Sequence, residues 1–231
     1  MPPFDKILPE HFMPAFERGM SLHEAEIDAI TSNNDEPTFE NTILAYDNAG
    51  QMLAQTELIF GMLCAAETNE RMQALQEQVM PLLSAHRDKI RLDEKLFARV
   101  KDVYDRRASL GLDAEQSRLL RKTYDAFVRS GALLDAGQKA RLKEINGELS
   151  LTAVKFGNNI LAENNNFALE LTADDLEGLP SGVRDAAREK AQAMGKGDKW
   201  VFTLHKPSLI PFLTYSAKRD LREKIYKAYL N

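Results

Sequence analysis

The chain has 231 residues and a formal net charge of −5, from 30 Lys and Arg against 35 Asp and Glu. That length suits one domain or a small pair and can bury a substantial core without metals or disulfides. The interleaved, slightly acidic charges argue against a general nucleic-acid binder, no apolar run reaches bilayer-crossing length, and the single cysteine, Cys64, excludes an internal disulfide.

The opening MPPFDKILPE has neither the basic nor the apolar region of a secretory leader. A leader removed before Met1 would leave no trace, so cytoplasm and periplasm both stand as expected compartments. From Glu10 to Thr31 the residues Phe12, Phe16, Met20, His23, Ile27 and Ile30 recur at steps of three and four, which predicts an amphipathic helix. Pro14 falls in its first turn, where a missing N–H costs little. A second helix is expected from Thr38 to about Glu67, with Phe39, Ile43, Tyr46, Gly50, Leu53 and Phe60 as its stripe. A third runs from Glu70 to Arg91, on Met72, Leu75, Val79, Leu83, His86 and Ile90, kinked at Pro81.

The segment Asp93 to Arg107 carries Leu96, Val100 and Val103 on one face. Asp113 and Gln116 then have capping-box spacing, opening a helix that reaches Ser130 and stops at Gly131. Asp135 and Gln138 repeat that spacing. The helix after them places Leu142, Ile145, Leu149, Ala153, Phe156 and Ile160 on one stripe, a face expected to pack against other helices. It ends at the polar run Glu163 to Asn166. Beyond it, FALEL and WVFTL alternate as short strands do, and the sequence leaves their pairing direction open. Pro180 to Met194 reads as a helix closed by GKGD, Pro207 and Pro211 mark a return to helix, and Lys218 to Leu230 carries Leu221, Ile225 and Tyr229. The expected fold is mostly α, an antiparallel helical bundle or array with a two-strand element near residues 167–171 and 200–204. Residues 1–163 form its helical region and 164–231 a mixed continuation.

Few residues invite a chemical reading. His23-Glu24-Ala25-Glu26-Ile27 begins like the zincin motif HExxH, which needs two histidines four apart on one helical face with a glutamate base between them. Ile27 occupies the second ligand's place, and His23 lies on an apolar stripe, so a structural role is expected. His11, His86 and His205 have no ligand companions at motif spacing. His86 reads as a core residue and His205 as a structural or loop residue. Cys64, within IFGMLCAAE, lacks the electropositive setting of a reactive thiol and reads as a small hydrophobe. No G-x-S-x-G elbow is present, and MGKGDKW has neither Walker nor dinucleotide spacing. Asp174-Asp175 reads as a helix start. Lys218, Arg219 and Arg222 interleave with Asp220 and Glu223, as on a solvated helix face.

The chain as a whole resembles one family. FDKILPEHFMPAFERGM, PTFENTILAYDNAGQML, LFARVKDVYDRRASLGLD and GALLDAGQKARLKEINGELS look like successive helices of the thimet oligopeptidase/peptidyl-dipeptidase family. FGNNILAENNNFALEL, DLEGLPSGVRDAAREKA and TYSAKRDLREKIYKAYLN continue the series in order. The resemblance implies an elongated, mostly helical body with a deep channel admitting short unfolded peptides. It implies a zinc-dependent peptidase which, in the peptidyl-dipeptidase branch, removes dipeptides from the carboxyl end of oligopeptides. The family's HExxH helix and downstream Glu lie in its carboxyl-terminal half, and no residue up to Asn231 matches them. No catalytic, cofactor-binding or metal-ligating residue is therefore carried over, and no cofactor is expected in this chain itself. The expectation is an inactive, channel-forming amino-terminal part of a zinc metallopeptidase. Its partners would be oligopeptides and a carboxyl-terminal catalytic half, with no role for nucleic acid or membrane. The competing expectation is a free-standing helical interaction module, which mixed-charge helices alone would permit.

Overall fold

The structure, a computed structural model, describes residues 2–230. Met1 and Asn231, on which the readings of the two chain ends depend, lie outside the described residues. The chain divides into two compact units, Met1–Lys155 and Phe156–Asn231.

The first unit is helical: α1 (Phe12–Thr31), α2 (Ala45–Asn48), α3 (Gln51–Ala66), α4 (Glu70–Arg91), α5 (Glu94–Asp105), α6 (Ala114–Arg129) and the start of α7 (Ala136–Asn166). Its helix starts follow their side chains. The Asn69 side chain accepts from the Met72 amide at 3.0 Å and Asp93 from Leu96 at 2.7 Å. Both expected capping boxes close, Asp113 with Gln116 and Asp135 with Gln138, and each such cap contributes about 1 kcal/mol. The stripes bury as two clusters. Phe12, Phe16, Leu53, Phe60, Val79 and Leu83 form one, with Phe16 and Phe60 edge to face at 5.3 Å. Ile27, Ile43, Leu96, Val100, Leu120 and Phe127 anchor the other.

Three expectations change. The helix expected over residues 38–67 is interrupted. A wider-wound stretch, Phe39–Leu44, leads into α2, and Gly50 then turns the chain at φ 76° before α3. The reason is a close approach: a Cβ on Gly50 would lie 2.9 Å from the His23 ring, and the Gly50 amide donates to Glu26 Oε2 at 2.7 Å. The second change concerns α7. Ile145, Leu149, Phe156 and Ile160, expected to pack, are 43–66% exposed, and the buried residues of this helix are Lys139 and Val154. Polar contacts also tie α7 to the first unit. Lys139 Nζ lies 3.0 Å from Glu94, and Asn146 donates to Asp88 at 2.8 Å.

The loop before Phe39 is fixed from α5. Arg99 donates to the carbonyls of Asn33 and Asp35 at 2.7 and 3.2 Å and to Asn41 Oδ1 at 3.2 Å. Arg106 reaches Glu36 and the Pro37 carbonyl.

The second unit holds β1 (Leu169–Leu171), α8 (Ser181–Ala193), β2 (Trp200–Phe202), α9 (Lys206–Tyr215) and α10 (Arg219–Leu230). The strands pair antiparallel with Glu170 opposite Val201, which settles the direction the sequence left open. Leu171, Phe202, Phe212 and Ile225 are fully buried, with the two phenylalanine rings 4.5 Å apart. The third change is on α10, where Tyr229 is exposed and Ala228 packs with Leu221 and Ile225. Gly178, at φ 85°, turns beneath the end of α9, and the Ala217 amide donates to the Glu177 carbonyl at 2.9 Å. No helix among the described residues is long and apolar enough to cross a membrane.

Candidate functional site

The histidine that opens HEAEI meets another 63 residues away. Helical spacing puts His23 on the inner face of α1 and His86 on the inner face of α4. There His86 Nε2 and His23 Nδ1 lie 3.1 Å apart, with ring centres separated by 5.1 Å. His86 is only 5% exposed. A hydrogen bond between two imidazoles needs one nitrogen protonated and the other bare, so the pair is complete when both rings are neutral.

The surroundings favour that state. Burial lowers the pKa of His23, and the neighbouring His86 lowers it further, against the opposing pull of Glu26, Glu24 and Glu57. Burial likewise lowers that of His86, partly offset by Glu24. Glu24 Oε1 stands 3.4 Å from His86 Nδ1, while its Oε2 pairs with Lys89 at 2.8 Å. That lysine is the first cause holding the Glu24 carboxyl below its ordinary value. A cavity of about 210 Å³ adjoins the pair, lined by His23, Tyr46, Glu57, His86 and Arg91 among others.

This arrangement does not fit a zinc ion. Ile27, standing where HExxH needs its second histidine, is buried in the apolar cluster. The Nδ1 of His23 is engaged by His86. Among the described residues no group of three or more His, Cys, Asp or Glu side chains is placed to hold a metal. Metal analysis of the purified, untagged 231-residue protein should find well under one zinc per chain. One tightly held zinc per chain would contradict this reading.

The other singled-out residues stay apart from the pair. His11 Nδ1 accepts from the Leu8 amide at 3.2 Å. His205 is the exposed residue before α9 and lines a separate hollow in the second unit. Cys64 is half-buried, and burial pushes its thiol pKa up, which disfavours the nucleophilic thiolate. Asp175 accepts from the Thr172 amide and hydroxyl at 2.9 and 2.8 Å, closing a turn as a capping acid does. On α10, Glu223 pairs with Lys227 and not with Arg219, and Arg222 donates to the Ser216 carbonyl. The basic run is thus divided between a surface ion pair and a backbone contact. Sequence spacing missed the His23–His86 pairing, although both residues lie on apolar stripes, where a polar group must find a buried partner.

No family model matches the chain. It is 37% identical over 228 residues to the dipeptidyl carboxypeptidase of Escherichia coli (strain K12), covering 98% of this chain and 34% of that protein. It is 36% identical over 230 residues to the Salmonella typhimurium dipeptidyl carboxypeptidase, again 98% of this chain and 34% of the other. With Escherichia coli oligopeptidase A the identity is 26% over 230 residues, 99% of this chain and 34% of that one. The chain therefore spans about a third of the length of these curated relatives.

Proposed function

Because this chain is homologous over nearly its whole length to the amino-terminal part of dipeptidyl carboxypeptidases and oligopeptidases A of the thimet oligopeptidase family, we propose that it is the channel-forming, noncatalytic part of a peptidase. The parent enzyme on this reading is a zinc-dependent peptidyl-dipeptidase that removes dipeptides from the carboxyl end of oligopeptides. The observation that carries the proposal is the 37% identity with a dipeptidyl carboxypeptidase across 98% of the chain. One structural fact agrees with it. The exposed side chains of Ile145, Leu149, Phe156 and Ile160 give α7 an uncovered apolar face. We assign that face to contact with the remaining two thirds of the parent chain, since buried apolar area is worth about 25 cal/mol per Å².

The role left to these residues is confinement and orientation of a peptide, which converts a chance encounter into a positioned one. A free-standing interaction module is the competing reading, and one experiment separates them. A quenched oligopeptide assay should show no cleavage by the 231-residue chain. A version extended to the relatives' full length, through an HExxH helix, should release carboxyl-terminal dipeptides and lose that activity to a chelator. Zinc-dependent cleavage by the short chain that survives further purification would overturn the proposal, as would an extended reading frame with no HExxH.

A further inference from the structure

On α6, Ala114, Ser117, Arg118 and Arg121 recur at i, i+3, i+4 and i+7, so they share one face. All four are exposed, two small side chains followed by two arginines. Facing it are Tyr104, near the end of α5, and Arg107, in the turn that follows. Together these six residues enclose a hollow of about 510 Å³.

Arg107 is held in place twice. Its guanidinium carbon lies 4.2 Å from the Tyr104 ring centre, and its Nη1 donates to the Tyr104 carbonyl at 2.7 Å. Tyr104 is itself fixed by stacking on Tyr124, with centres 3.9 Å apart and planes 4° from parallel. None of the three arginines forms an ion pair among the described residues, while the adjacent Lys101 and Arg106 each have a carboxylate partner. No acid lines the hollow. Asp113 is the helix cap, and Glu115, three residues before Arg118, and Asp125, four after Arg121, form no ion pair with them. Three arginines without an ion pair thus line one hollow in a chain whose net charge is −5.

We propose that this hollow between the end of α5 and the Arg118–Arg121 face of α6 is a binding site for a small anion of linked phosphates. Guanidinium forks match the paired oxygens of phosphoryl groups. The small side chains of Ala114 and Ser117 leave space beside the two arginines. An extended acidic peptide places same-face carboxylates about 7 Å apart, whereas linked phosphates concentrate their charge within one hollow.

The test is calorimetric titration of the 231-residue chain at constant ionic strength with tripolyphosphate, inorganic phosphate and a tetraglutamate peptide. Tripolyphosphate should bind saturably at one site, more tightly than either of the others. Arg118→Gln with Arg121→Gln should weaken it about tenfold or more, a loss of about 1.4 kcal/mol, and Arg107→Gln alone should weaken it in the same direction. Arg184→Gln, on exposed α8 in the other unit, should leave it unchanged. Absence of saturable binding overturns the proposal. So does tetraglutamate binding as tightly as tripolyphosphate, or Arg184→Gln weakening binding as much as the site variants do. The outcome is independent of whether the parent is a peptidase.

Discussion

Replacing Gly178 with alanine should destabilise the second unit by about 3 kcal/mol or more, summing a left-handed backbone penalty of 1–2 kcal/mol, a lost hydrogen bond of about 1 kcal/mol and a steric clash. Gly178 sits at φ 85°, and an added Cβ would come to 2.2 Å from the Tyr215 carbonyl oxygen and 3.0 Å from the Ala217 nitrogen. Both neighbours are backbone, so neither swings aside as a side-chain tip would. Relief requires the turn after α9 to move, which breaks the Ala217–Glu177 hydrogen bond and disturbs α10, whose Ile225 is fully buried. Gly195 provides the control. It too has a positive φ, 68°, but nothing lies within 4 Å of its added Cβ, so Gly195→Ala should cost only the backbone term, about 1–2 kcal/mol. Trp200, the only tryptophan, lies in β2 and reports on this unit. Urea denaturation followed by its fluorescence measures both variants. Equal midpoints for the two would show that the packing around Gly178 does not constrain the fold.

Acidification should loosen the first unit through the His23–His86 pair. Both imidazoles have pKa values below the ordinary 6.5 because burial disfavours their charged forms. Each therefore takes up its proton less readily folded than unfolded. The unfolded chain binds more protons across that window, so stability is at its full value above about pH 6.5 and falls as pH drops through the lower folded values. The groups facing the pair are Glu24 and Glu26 from α1, Glu57 from α3, and Arg87, Lys89 and Arg91 from α4. The glutamates moderate the loss without reversing its sign. His23→Ala should cost about 1–3 kcal/mol at pH 7, since it leaves His86 Nε2 buried without its partner, and should flatten the dependence between pH 7 and 5. Denaturation curves at both pH values for the two proteins decide the matter. A variant as stable as the parent at pH 7, with the same slope toward acid, would contradict the structural role of the pair.

The sequence carried the elements well where local chemistry sets them. Asn69, Asp93, Asp113 and Asp135 cap their helices as their residue types require, and the alternation in FALEL and WVFTL is the antiparallel pair. Long-range demands were illegible. Nothing near Gly50 in the chain announces that a histidine ring from α1 will press against it, so the local pattern there predicts one continuous helix. The stripe on α7 has the period of a packed face, yet period alone does not say whether a partner is present. The candidate site divided the same way. Ile27 in the place of a second ligand excluded a local zinc motif from spacing alone, while the His23–His86 contact spans 63 residues and needed the fold. Sequence spacing put no weight on the arginines of α6, because what sets them apart is that Tyr104 and Arg107 line the same hollow.

The loop pinned by Arg99 and Arg106 has a consequence for how the first unit comes apart. Residues 33–37 are polar and lie between helices, the composition of a segment that opens by itself. Here Arg99 of α5, a helix whose Val100 and Val103 are fully buried, and Arg106 just past its end donate to the loop, beside the Asn41 amide group that donates to the Glu36 carbonyl. Opening of the loop is thereby tied to that helix: residues 33–37 come apart as part of a cooperative folding unit that includes α5, not as an independently fraying stretch of chain.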